Sequence, residues 1–211
     1  MKPIYLMVLA AGLSSRFGRN KLVEVVDGMT VVEHVVRAGQ GAGLKSTVVV
    51  TGHERERIQA ALSKLEYEEA YNPDFEQGMS TSIRTGIAHV KNRARAVVIS
   101  PGDMAFTETR LYDMVLDEYA KRRNKIVVAT YKGRGGHPIL FDGSTFEDLL
   151  KISEETRGMK EVVQKYREVT TYVETSSPRV LLDIDYQEDF ARAARELGTQ
   201  IGQRATKDGT K

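Results

Sequence analysis

The run from Ile4 to Ala10 is continuously apolar and rich in strand formers, with no alternation of polar positions. That is the pattern of a strand buried on both faces inside a parallel sheet. Comparable runs recur at Thr47 to Thr51, Ala96 to Ser100 and Ile126 to Tyr131, and a further strand-like run spans Val180 to Ile184. Between them the apolar period changes to 3.6: Ile58, Ala61, Leu62 and Leu65 share one helical face, as do Leu111, Met114, Val115 and Tyr119. Thr30 and Glu33 have the spacing of a capping box, which predicts a helix through Val31 to Arg37 that Gly39, Gly41 and Gly43 would end. Alternating strands and helices predict an α/β fold in three layers, with a mostly parallel central sheet covered on both faces.

The segment from about Lys132 to Ser176 breaks this rhythm. It reads as a Gly-rich loop at Gly133, Gly135 and Gly136, a short strand at Ile139 to Phe141 and two short helical stretches, together covering one side of the sheet's C-terminal edge. The expected organisation is one domain over residues 1–197, with residues 132–176 as an elaboration and residues 198–211 as a flexible tail holding one large apolar residue, Ile201. Composition narrows the class. The 211 residues carry 31 Lys and Arg against 29 Asp and Glu, interleaved, so no nucleic-acid partner is indicated. No apolar run approaches the roughly 18 to 20 residues that a bilayer span needs. The absence of cysteine excludes disulfides, thiolate metal sites and Cys nucleophiles. Together with an N-terminus that carries no cleavage site, it points to the cytoplasm.

Candidate chemistry gathers where strands end. Directly after the first strand comes Leu9-Ala10-Ala11-Gly12-Leu13-Ser14-Ser15-Arg16-Phe17-Gly18-Arg19-Asn20-Lys21. Small residues at that edge let backbone N–H groups approach an anion, and Arg16 and Lys21 together can neutralise a polyphosphate. The loop matches neither common Gly-rich phosphate motif, and its alternative is a surface loop with solvated cations. Asp103, in Ser100-Pro101-Gly102-Asp103-Met104, can hold Mg²⁺ against phosphate oxygens or simply form a turn. Asp185, in Asp183-Ile184-Asp185, can be a second ligand or the N-cap of a following helix. In the stretch Asn72 to Ser82, Gly78 before Ser80 suggests a helix start whose N–H groups and hydroxyls could meet a base, ribose or phosphate; an ordinary capped helix explains the same pattern. Gly136-His137-Pro138 sets an imidazole in a rigid loop suited to contact substrate, whereas His34, His53 and His89 lack metal-ligand spacing.

The string Leu9-Ala10-Ala11-Gly12-x-Ser14-x-Arg16-Phe17-Gly18-x-x-Lys21 is similar to the signature of MobA-like nucleotidyltransferases, especially the molybdenum cofactor cytidylyltransferases among them. The resemblance continues through Asn72 to Ser82, Asp103-Met104, Gly136-His137-Pro138-x-x-Phe141 and Asp183-Ile184-Asp185. It implies a Rossmann-like nucleotidyltransferase that moves a nucleotide monophosphate from an NTP to a phosphorylated acceptor, with Mg²⁺ and release of pyrophosphate. Ala10, Ala11 and Gly12 would approach the base and phosphates, Arg16 and Lys21 would hold the triphosphate, and Asp103 and Asp185 would hold the metal. Leu9, Ser14, Asn72, Gly78, Ser80 and Ser82 complete the implied nucleotide side, and Gly136, His137, Pro138 and Lys160 the acceptor side. An Ala-Ala-Gly start goes with CTP in the family and Ala-Gly-Gly with GTP, so Ala11 favours CTP. The implied acceptor is molybdopterin, with a molybdoenzyme or chaperone as a possible further partner. Two departures stand out: Ala105 replaces the proline of Asp-Met-Pro, and Glu155-Thr156-Arg157-Gly158-Met159-Lys160 keeps the glycine and a basic residue of Gly-Asp-x-Gly-x-Arg but lacks the acid. The competing readings are GTP as donor, a sugar phosphate or other phosphorylated acceptor, and a nucleotide-binding module without turnover.

Overall fold

A computed structural model describes residues 2–121 and 124–182, and beyond them residues 186, 188, 191, 195, 198, 201 and 202. In chain order the strands are β1 (Ile4–Ala10), β2 (Val25–Val26), β3 (Met29–Thr30), β4 (Thr47–Thr51), β5 (Glu68–Tyr71), β6 (Ala96–Pro101), β7 (Ile126–Tyr131), β8 (Arg134–Asp142), β9 (Thr170–Glu174) and β10 (Ile201–Gly202). The α-helices are α1 (Val31–Gly41), α2 (Arg55–Ala61), α3 (Met79–Val90), α4 (Thr109–Lys121), α5 (Phe146–Leu149) and α6 (Met159–Lys165). Seven strands form the central sheet in the order β5-β4-β1-β6-β8-β7-β9. β5, β4, β1 and β6 pair in parallel, as do β7 and β9, while β8 runs against both of its neighbours. This is the three-layer α/β arrangement that the alternating strand and helix patterns predict.

The unbroken apolar runs reflect burial on two sides. Leu6, Val8 and Ala10 of β1 join Val31 and Val35 of α1 and Leu111 of α4 in one core, while Tyr5, Met7 and Leu9 join Ile83 and Ile87 of α3 in the other. The capping box opening α1 is present: Glu33 N–H donates to Thr30 Oγ1 at 3.4 Å and Thr30 N–H to Glu33 Oε2 at 3.0 Å. The helix does not stop near Arg37. It continues through Gly39 and Gly41, because these glycines serve packing: a Cβ at Gly39 would lie 2.5 Å from Leu6 Cδ2, and one at Gly41 2.8 Å from Thr109 Oγ1. Only Gly43, at φ +84°, supplies the left-handed turn past the end.

Three expectations give way. Of the Gly-rich segment only Gly133 lies in a turn; Gly135 and Gly136 are at the start of β8, which sits between β6 and β7 in the sheet and forms a hairpin with β7 through Lys132 and Gly133, both at positive φ. His137 therefore sits on a strand, and residues 132–176 supply two strands of the sheet, β8 and β9, instead of merely covering its edge. The run at Val180 to Ile184 begins with a 3₁₀ turn over Pro178–Leu181, where Ser177 accepts from Arg179 N–H and Pro178 removes a donor that a strand would need. Finally, Ile201–Gly202, in the expected tail, pairs antiparallel with β2 and completes a small sheet with β3. Asp183, Asp185 and residues 203–211 lie outside the described residues. No helix among the described residues is long and apolar enough to cross a membrane.

The outer strand β5 carries Glu68 and Glu69, charges that discourage edge pairing. The Arg55 guanidinium grips Glu69 as a fork at 2.9 and 2.6 Å, Thr51 and Gln59 add hydrogen bonds, and the carboxyl is pulled down to about 2 against the cost of partial burial. Glu68 is held at about 2 first by Arg93, then by His89 and Tyr5. An unfolded glutamate binds its proton near pH 4.3. Between that value and about 2 the unfolded chain carries more protons than the folded one, so stability falls as pH falls through this window. Glu69→Gln is expected to flatten that fall, read as urea midpoints between pH 5 and pH 2.5; a slope unchanged from wild type would remove Glu69 from the acid response.

Candidate active site

β1 lies at the point where the order of strands reverses, with β4 on one side and β6 on the other. Ligands of open α/β sheets bind at the carboxyl ends of strands beside such a point. After Ala10 the chain enters the loop that carries Arg16 and Lys21. Phe17, 2% exposed, roots this loop in the core. Ser14 adopts φ +51°, its carbonyl accepts from Phe17 N–H at 2.9 Å and its Oγ from Lys21 N–H at 3.4 Å. Asn20, buried, caps the short turn Lys21–Val23 by accepting from Leu22 N–H at 3.0 Å. The loop is thereby folded onto itself, and Lys21 projects from its fixed end.

Asp103 comes from β6. Gly102 N–H donates to the Leu9 carbonyl at 2.8 Å, which binds the turn after β6 to the end of β1. A Cβ on Gly102 would stand 2.7 Å from that same carbonyl oxygen. Behind the turn, Met104, Ala105 and Phe106 are buried and Ser100 Oγ meets Tyr112 OH at 2.9 Å. Ala105 thus fills a packed position where the family pattern has proline. Lys21 Nζ and Asp103 Oδ2 form an ion pair at 2.6 Å with side-chain exposures of 13% and 18%. Asp103 Oδ1 is buried and accepts no hydrogen bond among the described residues.

Two cavities meet here. The first, about 510 Å³, is lined by Leu9, Ala11, Gly12, Ser14, Arg16, Lys21, Gly78, Ser82 and Asp103 from the expected set, and also by Leu22, Phe75, Glu76, Met79 and Pro101. A Cβ at Gly12 would meet no protein atom within 4 Å, so the protein's own packing does not require glycine there. Ala10, Asn72 and Ser80 do not line this cavity. Ala10 faces the core. The Asn72 amide is spent on Thr81 Oγ1 and Ser82 Oγ at 2.8 and 3.0 Å. Ser80 is 2% exposed, and its N–H donates to Glu154 Oε1 at 2.7 Å, so the helix-start amide expected to meet a nucleotide already holds a carboxylate.

The second cavity, about 630 Å³, is lined by Gly136, His137 and Lys160 from the expected acceptor set, with Arg134, Gln164 and Tyr172 and an apolar wall of Val128, Ile139, Met159, Val163 and Leu181. Pro138 is buried beneath it. A Cβ at Gly136 would fall 2.0 Å from the Val180 carbonyl oxygen, which is why only glycine lets β8 touch the turn at Pro178–Leu181. Met79, Pro101 and Asp103 line both cavities. Sequence reasoning missed Phe75, Glu76, Met79, Arg134 and Tyr172, although Phe75, Glu76 and Met79 fall inside the stretch it had singled out. No group of three or more His, Asp or Glu suited to a metal occurs among the described residues, and Asp185 is not one of them.

A mostly parallel sheet whose switch-point edge carries a cationic loop, a carboxylate and two adjoining cavities has the parts of a nucleotidyltransferase, and this protein is one. The chain belongs to the family of the MobA-like NTP transferase domain, whose model matches residues 6–170. The molybdenum cofactor cytidylyltransferase of Escherichia coli (strain K12) is 26% identical over 207 residues, covering 95% of this chain and 100% of that protein. A nucleotidyl transferase from Methanothermobacter thermautotroptrophicus (Mth528) has the same fold, with a TM-score of 0.79, 21% identity and coverage of 92% of this chain and 97% of that one. So does Rv0371c from Mycobacterium tuberculosis H37Rv, with a TM-score of 0.78, 24% identity and coverage of 92% and 98%. Its complex with manganese gives 0.69 at 23% identity, covering 90% and 97%.

Gly102→Ala is expected to cost about 1 to 3 kcal/mol, because the new methyl group meets backbone that cannot yield. The turn carrying Asp103 would be displaced with it. Urea midpoints and pyrophosphate release should both fall; full activity in a destabilised variant would show that the turn tolerates movement.

Proposed function

We propose that this nucleotidyltransferase transfers CMP from CTP to a phosphorylated acceptor of the molybdopterin type, with Mg²⁺ as the metal and pyrophosphate as the leaving group. The observation that carries the reading is the Lys21–Asp103 ion pair on the boundary of two cavities. The first cavity, with Arg16 and Lys21, suits a triphosphate. The second pairs an apolar wall with Arg134 and Lys160, which suits a flat heterocycle bearing a phosphate better than a sugar phosphate. Ala11 and the name of the E. coli relative both favour CTP.

In this reading an acceptor phosphate oxygen attacks the α-phosphorus in line. A bond forms between that oxygen and phosphorus as the bond from phosphorus to the bridging oxygen of pyrophosphate breaks, and the bond's electron pair leaves with pyrophosphate. No protein nucleophile takes part, and a phosphate already ionised at neutral pH needs no general base. The task left to the protein is to bring two anions together. Without substrate, Asp103 holds the Lys21 ammonium in place. When a triphosphate enters, Lys21 turns its charge to the phosphate oxygens and Arg16 grips them from the other end of the loop. Asp103, whose buried Oδ1 accepts no hydrogen bond among the described residues, would hold Mg²⁺ together with Asp185; a hard cation accepts one or two carboxylates and fills its shell with water and phosphate. Bound there, the ion supplies Lewis-acid neutralisation of the phosphates.

Lys21→Ala is expected to lower turnover about 10² to 10³-fold. The measurement is pyrophosphate release with CTP, GTP and other NTPs, each offered molybdopterin and sugar-phosphate acceptors side by side. Turnover of the variant within about threefold of wild type would remove Lys21 from the mechanism. Release with a sugar phosphate alone would reassign the acceptor, and nucleotide binding without release under any pairing would leave a binding module.

A further inference from the structure

The helix α3 has no cap of its own. Its N-cap is Gly78, at φ +106°, which has no side chain to accept the exposed N–H groups of the first turn. The acceptor comes from 74 residues away: Glu154 Oε1 receives the Ser80 N–H at 2.7 Å. The two ends are matched, since a Cβ on Gly78 would lie 2.5 Å from Glu154 Cγ. Two further contacts tie the same pieces together. Arg84 of α3 donates to the Ile152 carbonyl at 2.7 Å, and Gly158, the residue before α6, leaves 3.3 Å between the site of a Cβ and Ser80 Oγ. α3 begins with Gly78 and Met79 in the wall of the first cavity; α6 carries Met159 and Lys160 in the wall of the second. Met79 belongs to both walls and is half exposed.

We infer that Glu154 is a positioning residue that couples the two cavities. Its carboxylate fastens the segment leading into α6 to the first turn of α3, so that the placement of Met79 between the cavities depends on the placement of the acceptor wall, and the reverse. A charge-assisted hydrogen bond to a helix N-terminus is strong enough to transmit such coupling. It also restores a carboxylate to the segment that lacks the acid of Gly-Asp-x-Gly-x-Arg, at a different position and with a partner that can be named. Coupling of this kind is reciprocal: a ligand that orders one wall must favour its neighbour's ordering. The functional consequence rests on the nucleotidyl-transfer reading; the coupling itself does not.

The test compares wild type with Glu154→Gln, which keeps an oxygen to accept the Ser80 N–H, and Glu154→Ala, which does not. Amide hydrogen exchange without any ligand is measured first. Glu154→Ala should lose about tenfold or more of the protection at residues 78–82 and also loosen 153–160, while Glu154→Gln keeps most of it and α1 is unaffected in both. Equal protection in all three proteins would overturn the inference, and so would uniform loss across the molecule in both variants. With CTP and Mg²⁺ added, protection in wild type should spread from 78–82 to 153–160; in Glu154→Ala it should stay on the nucleotide side. Spread that survives in Glu154→Ala would also overturn it. With the acceptor that supports pyrophosphate release, Glu154→Ala should raise KM for that acceptor about tenfold with a smaller change in kcat, and Glu154→Gln should stay within about threefold of wild type. Failure of every NTP to bind wild type would instead count against nucleotidyl transfer, and the ligand-free exchange would still decide the role of Glu154.

Discussion

Lys21 and Asp103 hold one another at the carboxyl edge of the sheet, and most of the surrounding construction serves to bring these two groups together. One arrives on a loop closed by Ser14, rooted by Phe17 and ended by a turn that Asn20 caps. The other arrives on a turn bound to β1 through Gly102. Neither charge would be comfortable alone in so sheltered a place, because desolvation disfavours an uncompensated ion. Paired, they form a folded state that is tolerable without ligand. In the proposed function a polyanion with its cation would offer each of them a better partner, and binding would exchange one neutral arrangement for another.

The two cavities differ in the character of their walls. The first sets Arg16 and Lys21 against Asp103 and Glu76, a mixed field suited to an anion that brings a metal. The second is mostly apolar with two cations. Asp103 belongs to both, so the carboxylate stands on the boundary between them. Met79 is the apolar counterpart at the same boundary, and its backbone is fixed from one side by the Asn72 bracket on Thr81 and Ser82 and from the other by Glu154.

How much of this was legible in the sequence depended on burial. β1, β4, β6 and β7 announce themselves because both faces are covered, so apolar residues dominate each run and no charge enters it. β5 does not: it is an edge, and Glu68 and Glu69 give it the composition of a surface. The second half of β8 was legible at Ile139 to Phe141, but its first half was hidden by Gly135 and Gly136, which read as a loop although Gly136 is there for close approach to the turn at Pro178–Leu181. Val180 is buried, as a strand residue would be, but Pro178 and the Ser177 cap turn the chain there. Strand ends placed the loop after β1 and Asp103 at one edge of the sheet, while the grouping of Lys21 with Asp103 followed from the resemblance to the nucleotidyltransferase signature. The cap on α3 could not be foreseen. No local pattern joins Gly78 to Glu154, and the helix start looked open to a ligand because its partner is distant in the chain.

The reversed direction of β8 has a consequence for how such a protein can change. A strand running with its neighbours reaches the ligand-bearing edge only at its end, and must then depart in a loop. β8 instead starts at that edge, so Arg134, Gly136 and His137 enter the second cavity before the strand descends into the sheet. Every residue lining the first cavity lies between positions 9 and 103, whereas most of the second is drawn from positions 128 to 182. The walls of the two cavities are therefore written in successive stretches of one chain, and the later stretch can be revised without rewriting the earlier.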